Sequence, residues 1–195
     1  MLPNAYFVRH GLTDWNAEGR IQGQVDTDIN ETGRRQADGN GVRLAELIGK
    51  GEGFDFVASP KRRTRETMER VRVGMGLPRD GYRTDDRLVE MHYGDWERYT
   101  LAEIDQRIPG SSAARDRDKW NYRPPGEKAE SYQLLAERIS PWLAELEQPT
   151  LCVTHGGIIR VLFRLIEGWP PEAACKDPVP QDRILELREG RLRWL

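Results

Sequence analysis

The sequence predicts a three-layer α/β/α sandwich around a mostly parallel central sheet. Apolar runs of strand length recur at 5–8, 54–58 and 151–154, and the segments between them have the spacing of helices. Two of the three histidines, His10 and His155, follow the first and the third of these runs. Because open α/β sheets bind ligands at the carboxyl ends of their strands, we expect both imidazoles to face one site.

Three longer helices are predicted around these strands. The first begins near 30–32 and ends at 49–51, where glycine terminates helices readily. The second begins at Ser59-Pro60, with serine as the cap and proline in the first turn. The third spans about 130–146 and carries an apolar stripe along one face. That stripe consists of Leu134, Leu135, Ile139, Trp142, Leu143 and Leu146.

The segment 94–128 has little apolar periodicity. The pair Ser111-Ser112 and the charged run 115–119 predict a polar, partly helical excursion outside the core, which we interpret as a lid or specificity insert. The residues 184–195 have the pattern of a closing hairpin with glycine in its turn. A chain of 195 residues with 37% hydrophobic content suits one compact core, so 1–195 is expected to form a single domain.

Composition limits the function classes. The positive charges of 30 Lys and Arg nearly cancel the negative charges of 32 Asp and Glu. The chain therefore has no positive electrostatic field suited to non-specific nucleic-acid binding. The first four residues lack the parts of a secretory leader, and no apolar run approaches the roughly 18 residues of a membrane span, so we expect a cytoplasmic protein without membrane contact. Cys152 and Cys175 are too few for a disulfide framework and are expected to be structural.

The residues around the two histidines suit phosphoryl transfer. An imidazole attacks phosphorus only through an unprotonated nitrogen, and a neighbouring cation such as Arg9 favours the neutral ring of His10. Guanidinium groups match the non-bridging oxygens, and Arg63 opens a helix whose N-terminus reinforces an anion site. Glu90 is the candidate general acid for the leaving oxygen. The glycines after His155 free backbone amides for an oxyanion.

Six segments in order resemble the histidine phosphatase superfamily, also called the phosphoglycerate mutase-like family. They are residues 8–16, Gln22-Gly23 through Asp26 to Ala37, Ser59-Pro60 with Arg63 and Thr67, Glu90 with Gly94 and Trp96, Glu130-Ser131, and 154–157. The resemblance implies that His10 becomes phosphorylated and that Glu90 shuttles the proton. The phosphoryl group would be held by Arg9, Arg63 and His155.

The resemblance also assigns positions around these groups. Asn16 matches a position that orients the phosphate, and Gly156 belongs to the segment of the second histidine. Thr13, Gln22 and Gly23 match positions near the pocket rim. The implied fold is phosphoglycerate mutase-like, the implied substrate is a small phosphorylated metabolite, and the implied reaction needs no metal and no organic cofactor. A homodimer is one expectation for the assembly, which the sequence leaves open.

The chain departs from the family pattern at several places. Ile29 and Lys61 stand where the pattern usually has leucine, and Arg98 stands where glycine often follows tryptophan and glutamate. The stretch 126–131 lengthens a usually short turn. No departure removes a group with a proposed catalytic role, but the regions of Arg98 and Glu127 should lie near the rim and influence substrate choice.

Three alternatives to a phosphatase stay open at this point. A metal site would use His10, His92 and His155, although a cation beside Arg9 would be repelled. A phosphoglycerate mutase is disfavoured because Leu101 occupies the region of the mutase's lysine. A non-catalytic module that binds phosphorylated ligands would need the arginines but neither the nucleophile nor the acid. We therefore expect phosphomonoester hydrolysis.

Overall fold

The computed structural model of the chain describes residues 2–195 and contains one six-stranded sheet. The strands are β1 (Ala5–Arg9), β2 (Asp55–Ala58), β3 (Arg83–Thr84), β4 (Thr150–Thr154), β5 (Ile184–Arg188) and β6 (Arg191–Trp194). Their order is β3-β2-β4-β1-β5-β6. The β1–β4, β2–β4 and β2–β3 pairs are parallel, whereas the β1–β5 and β5–β6 pairs are antiparallel. The predicted mostly parallel sheet and the closing hairpin are therefore confirmed.

Helices cover both faces of this sheet. They are α1 (Asp14–Ala17), α2 (Glu31–Ile48), α3 (Arg62–Gly74), α4 (Leu101–Arg107), α5 (Ser111–Arg117), α6 (Tyr132–Ala144), α7 (Gly156–Glu167) and α8 (Pro171–Ala174). Short 3-10 turns occupy Asp86–Leu88 and Gly94–Trp96. None of the helices within residues 2–195 is long and apolar enough to span a bilayer.

Alternation along the strands produces two apolar layers. In β1, Tyr6 and Val8 face a cluster that includes residues of α2 and α3, while Ala5 and Phe7 face one that includes residues of α6 and α7. Successive strand side chains point to opposite faces, so a strand covered on both sides is apolar throughout. This arrangement is the three-layer sandwich that the sequence predicts. It leaves the carboxyl ends of β1 and β4 side by side.

Two helices begin later than the sequence predicts, and for the first of them the expected cap residue has another partner. Helix α3 begins at Arg62, whose amide donates to Asp26 Oδ1 at 2.8 Å. The predicted cap, Ser59, is instead fully buried beside His155. Helix α6 begins after Ser131, whose Oγ accepts from the amide of Leu134. Leu134 itself is 39% exposed, so its placement in the apolar stripe was wrong.

The segment 94–128 is partly helical, as predicted, but it is not excluded from the core. Trp96 is 2% exposed and Trp120 is 4% exposed. The Trp120 ring stacks on Tyr132 of α6 with centroids 5.9 Å apart. Trp120 thus anchors the segment to the α6 layer, although the charged residues of the segment hide the apolar signal in the sequence. Cys152 and Cys175 are buried free thiols.

Candidate active site

The two strand-end histidines lie next to each other. Arg9 pairs in register with Thr154, so His10 and His155 each follow the last residue of adjacent parallel strands. The amide of His10 donates to Thr154 O at 3.0 Å. The imidazole centroids are 5.3 Å apart, with an angle of 61° between the ring planes. The two imidazoles that the sequence predicts to face one site are therefore direct neighbours.

A cavity of about 140 Å³ opens beside His10. It is lined by Arg9, His10, Asn16, Arg20, Ile21, Gln22, Gly23, Arg63, Glu90, Tyr93, Gly156 and Arg160. Of the site residues that the sequence nominates, Thr13 and His155 lie outside this lining. Thr13 donates from Oγ1 to Gln22 Oε1 at 3.0 Å, so it supports a residue of the lining. His155 supports the site through its contact with the His10 ring.

The hydrogen bonding of His10 determines which ring nitrogen is free. Nδ1 lies 2.8 Å from Gly11 O, and a carbonyl oxygen can only accept, so Nδ1 carries the proton. Nε2 therefore keeps its lone pair. Burial, Arg63 and Arg9 hold the pKa of His10 well below its usual value, which keeps the ring neutral.

His155 is held by a residue from another strand end. Its Nε2 lies 2.8 Å from the hydroxyl oxygen of Ser59, which follows β2. Its Nδ1 is buried and has no hydrogen-bond partner among residues 2–195. Burial lowers the pKa of His155 well below its usual value, and Arg63, His10 and Arg9 add to that effect. The ring is therefore neutral and has one nitrogen available for a further contact.

Two guanidinium groups flank the histidines. Arg63 is fully buried, and its Nη1 and Nη2 donate to Val25 O and Gly23 O at 2.8 and 2.7 Å. Arg9 donates from Nη1 to Val179 O at 2.7 Å. The Nε atoms of both arginines are buried without a partner among the described residues. Buried donors require acceptors, so this arrangement suits an anion.

Burial and the neighbouring Arg160 lower the pKa of Arg9 to about 10, while Glu90 opposes the shift. Arg9 therefore stays charged at neutral pH. Glu90 also counters the effect of burial on the pKa of Arg63. One carboxylate thus faces several guanidinium groups in the cavity, which leaves a net positive environment for a ligand.

Glu90 accepts two backbone hydrogen bonds. Oε1 accepts from the amide of Met91 at 2.9 Å, and Oε2 accepts from the amide of Gly157 at 3.1 Å. The interpretation of both glycine amides as oxyanion donors needs correction here, because the Gly157 amide is already bound to Glu90. Gly156 lines the cavity, as the sequence predicts.

Some residues of the site were not found from the sequence. Arg160 lines the cavity one helical turn after Gly156, a spacing that places both on one face of α7 and could have indicated it. Gln181 donates from Nε2 to His10 O at 3.0 Å and to Asn16 Oδ1 at 3.1 Å. It lies 171 residues from His10 along the chain, so no local pattern could have identified it.

His92 is turned to other partners. Its Nδ1 accepts from the amide of Gly94 at 2.9 Å and lies 3.4 Å from Glu97 Oε1. Within residues 2–195, no three His, Cys, Asp or Glu side chains form a group that could hold a metal ion. The three histidines of the metal-site alternative therefore do not converge.

Arg98, which the sequence predicts near the rim, is bonded through its main chain to a residue of the cavity lining. Its amide donates at 2.8 Å to Ile21 O, and Ile21 lines the cavity. Lys61 donates from Nζ to Gln24 O at 2.5 Å, which ties it to the loop that Arg63 also holds. Ile29 is 1% exposed and takes an apolar role similar to that of leucine.

Comparisons with known proteins agree with this geometry. A family model for the histidine phosphatase superfamily (branch 1) matches residues 5–194. Glucosyl-3-phosphoglycerate phosphatase of Mycobacterium tuberculosis is 38% identical over 181 residues, which cover 84% of this chain and 77% of the relative. A metal-independent phosphoserine phosphatase of Arabidopsis thaliana is 33% identical over 162 residues, which cover 80% of this chain and 65% of the relative.

A solved structure of the mycobacterial glucosyl-3-phosphoglycerate phosphatase in complex with VO3 superimposes with a TM-score of 0.79. It is 32% identical, and the match covers 99% of this chain and 96% of that chain. The fold, the match over nearly the whole length and the sequence identity agree. The chain belongs to the histidine phosphatase superfamily, branch 1, as a phosphatase.

Proposed function

We propose that the enzyme hydrolyses phosphomonoesters of small metabolites through a phosphohistidine on Nε2 of His10. The observation that carries this proposal is the 2.8 Å contact of His10 Nδ1 with Gly11 O, which leaves Nε2 unprotonated. The lowered pKa of His10 keeps it so at neutral pH. A neutral imidazole in a buried, cationic cavity is an activated nucleophile toward phosphorus.

The reaction has two steps. In the first, Nε2 of His10 attacks phosphorus, the bond to the ester oxygen breaks, and the protonated form of Glu90 gives that oxygen its proton. In the second, Glu90 takes a proton from water, the water oxygen bonds to phosphorus, and the bond between nitrogen and phosphorus breaks. Inorganic phosphate leaves, and both side chains return to their starting states.

Arg9, Arg63 and His155 stabilise the transferring phosphoryl group. Their buried nitrogens without partners among residues 2–195, Nε of each arginine and Nδ1 of His155, are donors suited to non-bridging oxygens. For His155 this role requires Nδ1 to carry the proton, with the Ser59 hydroxyl donating to Nε2. Such donors are already oriented by their other hydrogen bonds, so they need little reorganisation during the reaction.

The remaining nominated residues position the substrate. Asn16, Gln22 and Gly23 line the cavity, and Thr13 holds the Gln22 side chain. Gly156 lies at the first position of α7, where backbone amides favour an anion. The names of the relatives, glucosyl-3-phosphoglycerate phosphatase and phosphoserine phosphatase, favour water over a second sugar or glycerate as the acceptor.

The test is phosphate release from p-nitrophenyl phosphate and from natural phosphomonoesters, measured with and without a chelator. We expect release that resists the chelator in the parent and falls by about 1000-fold or more in His10→Ala, because the covalent route is lost. Quenching the parent in alkaline detergent during turnover of an ester labelled in its phosphoryl group should trap label on His10, because the bond between nitrogen and phosphorus survives base and is lost in acid. Rapid isomerisation of 3-phosphoglycerate with simple esters left intact would instead indicate a mutase.

Other expectations from the sequence stay predictions. They are the single domain over 1–195, the lid role of 94–128, the cytoplasmic location, the lack of nucleic-acid partners and the homodimer. The lid role has one supporting observation, because the main chain of Arg98 binds Ile21 at the cavity wall. Sedimentation of the purified protein would determine the oligomeric state.

A further inference from the structure

Gln181 connects the loop before β5 to two groups of the candidate active site. The residue is 8% exposed, and its Nε2 donates to His10 O at 3.0 Å and to Asn16 Oδ1 at 3.1 Å. Its main-chain oxygen accepts from Nδ2 of Asn40, a buried residue of α2, at 3.0 Å. Hydrogen bonds therefore hold both the main chain and the side chain of Gln181, which restricts the side chain to one orientation.

These contacts determine which atom of the Gln181 amide faces the site. The carbonyl oxygen of His10 can only accept a hydrogen bond, so the Gln181 atom that contacts it must be the nitrogen. That nitrogen carries two protons, and the second is directed at the side chain of Asn16. The Asn16 atom on this side must therefore be the acceptor, Oδ1.

A main-chain contact orients Asn16 in the same way. The amide of Thr13 lies 3.4 Å from Asn16 Oδ1, and an amide N–H can only donate. With Oδ1 held from two directions, Nδ2 is the polar atom left for the cavity that Asn16 lines. Neither contact uses the two N–H groups of Nδ2, so both are available to a ligand.

The charges around the cavity favour the opposite orientation of Asn16. Arg9 and Arg63 line the same cavity, and Nε of each is a buried donor without a partner among the described residues. An unrestrained carboxamide beside such cations turns its oxygen, the negative end of its dipole, toward them. Gln181 and the amide of Thr13 oppose that rotation, so the donor side of Asn16 faces the cavity before a ligand binds.

We propose that Gln181 is a positioning residue that acts through Asn16, because it keeps Nδ2 directed at a non-bridging oxygen of the transferring phosphoryl group. The inference rests on the proposed phosphoryl site and explains how a neutral side chain contributes to it. A phosphoryl oxygen without a proton can only accept hydrogen bonds, so Oδ1 in the place of Nδ2 would repel it. A donor that is oriented in advance needs little reorganisation as charge shifts onto the oxygens.

The test is a double-mutant cycle measured by phosphate binding, so that no turnover is needed. Calorimetry gives the affinity for inorganic phosphate of the parent, Gln181→Met, Asn16→Ala and the double variant. Methionine has nearly the length of glutamine but no donor. We expect Asn16→Ala to weaken phosphate binding about 10- to 100-fold, because a hydrogen bond to a charged group is lost. Gln181→Met alone should weaken it about five- to tenfold.

The double variant separates positioning from a general structural role. If Gln181 acts through Asn16, Gln181→Met should change phosphate affinity by less than about twofold once residue 16 is alanine. Two losses that multiply would overturn the proposal, because Gln181 would then act through His10 O or through the stability of the fold.

Gln36→Met is the matched control. Gln36 Oε1 accepts from the amide of Leu12 at 2.9 Å, so this variant also removes a hydrogen bond from the loop after β1, but not one to Asn16. We expect its phosphate affinity to stay within about twofold of the parent's value. If Gln36→Met weakens phosphate binding as much as Gln181→Met does, a looser loop explains both results, and the positioning role is wrong.

A spectroscopic measurement on the parent does not depend on the folding of a Gln181 variant. The chain has five asparagines, so isotope-labelled asparagine gives few side-chain amide signals in NMR spectra, and Asn16→Ala identifies the signal of Asn16. We expect inorganic phosphate to shift the Asn16 Nδ2 protons downfield, because they enter charge-assisted hydrogen bonds. Unchanged Asn16 signals at saturating phosphate would overturn the proposal.

The outcome for Gln181 is separable from the proposed hydrolysis. Phosphate binding that follows the predicted cycle, in a protein that releases phosphate from no ester, would support the positioning role and refute the hydrolysis. His10-dependent release from p-nitrophenyl phosphate, together with losses that multiply in the cycle, would support the hydrolysis and refute the positioning role.

Discussion

Glu90 Oε2 accepts a hydrogen bond from the amide of Gly157 at 3.1 Å, and a Cβ atom on Gly157 would lie 2.2 Å from Glu90 Oε1. The carboxylate thus sits directly against the backbone of the first turn of α7. No side chain larger than hydrogen fits at Gly157 unless Glu90 moves. This contact orients the proposed general acid toward the cavity that it shares with His10.

Gly157→Ala should therefore displace Glu90 and weaken proton transfer to the leaving oxygen. General acid catalysis contributes about 100-fold or more, so kcat for an alkyl phosphate should fall by about that factor. The fall should be smaller for p-nitrophenyl phosphate, whose leaving group needs little help from an acid. Glu90→Gln should give the same pattern in steady-state kinetics, and equal losses on both substrates in Gly157→Ala would rule out the acid role.

The buried histidines should make stability depend on pH. The pKa values of His10 and His155 lie well below 6.5 in the folded protein, chiefly because of burial. Below about pH 6.5 both rings bind a proton in the unfolded chain but not in the folded protein. Proton binding therefore stabilises the unfolded state relative to the folded state. The free energy of unfolding should fall by up to about 1.36 kcal/mol per pH unit for each histidine as pH drops below 6.5.

The measurement is urea unfolding at several pH values between 7.5 and 5, in a buffer without phosphate. Carboxylates also titrate toward the acid end, so the parent is compared with His10→Asn, which lacks one of the two rings. The slope of stability against pH should be shallower in His10→Asn. Superimposable slopes would mean that the His10 ring takes up a proton in the folded state.

Gly33→Ala should destabilise the protein because α2 approaches the loop after β1 backbone to backbone. A Cβ on Gly33 would lie 2.3 Å from Leu12 O, and one on Gly11 would lie 2.3 Å from Gly33 O. Neither main chain can shift cheaply, so we expect a loss of about 1–3 kcal/mol in unfolding free energy. Activity should fall as well, because Gly11 O holds His10 Nδ1.

Gly39→Ala is the matched control on the same helix. Gly39 is exposed in the middle of α2, and an added Cβ there would meet nothing within 4 Å. Alanine has the better helix propensity, so this variant should be more stable by about 0.5–1 kcal/mol. Chemical denaturation of both variants checks the pair, and equal effects would contradict the close approach of Gly33.

Arg98→Gly should stabilise the loop that faces the cavity rim. Arg98 has a φ of 80°, a conformation that costs most residues roughly 1–2 kcal/mol and glycine almost nothing. Arg98→Ala keeps the Cβ and therefore keeps the strain. Glycine should exceed alanine in unfolding free energy by about 1 kcal/mol, with thermal denaturation as the measurement. An alanine variant as stable as the glycine variant would mean that the φ imposes no strain.

The sequence predicted those parts of the site that follow from local patterns. His10 and His155 come at strand ends, and parallel strands end at one edge of a sheet whatever the details of packing. Arg63 stands at the start of a helix next to that edge. The same local signals predicted the three layers and the hairpin, since the period of apolar residues reports which faces are covered.

Other features depended on contacts between distant parts of the chain. The sequence predicted Ser59 as a helix cap, but its hydroxyl contacts His155, which lies 96 residues away. Trp120 belongs to a polar segment, yet it packs on Tyr132 because the fold brings α6 beneath it. The sequence does not distinguish Arg34 from Arg160. In the folded protein, however, Arg34 is ion-paired to Glu66, whereas Arg160 lines the cavity.

The sequence by itself determined the fold class, the chemical groups and the strand ends that carry them, because periodicity and motif order are properties of neighbouring residues. Only the tertiary structure decided that the Gly157 amide serves Glu90, that Gln181 holds His10 O, and that Arg160 faces the cavity. Each of these depends on burial and on hydrogen bonds across many residues. Such contacts are selected by the packing of whole layers, which no local pattern encodes.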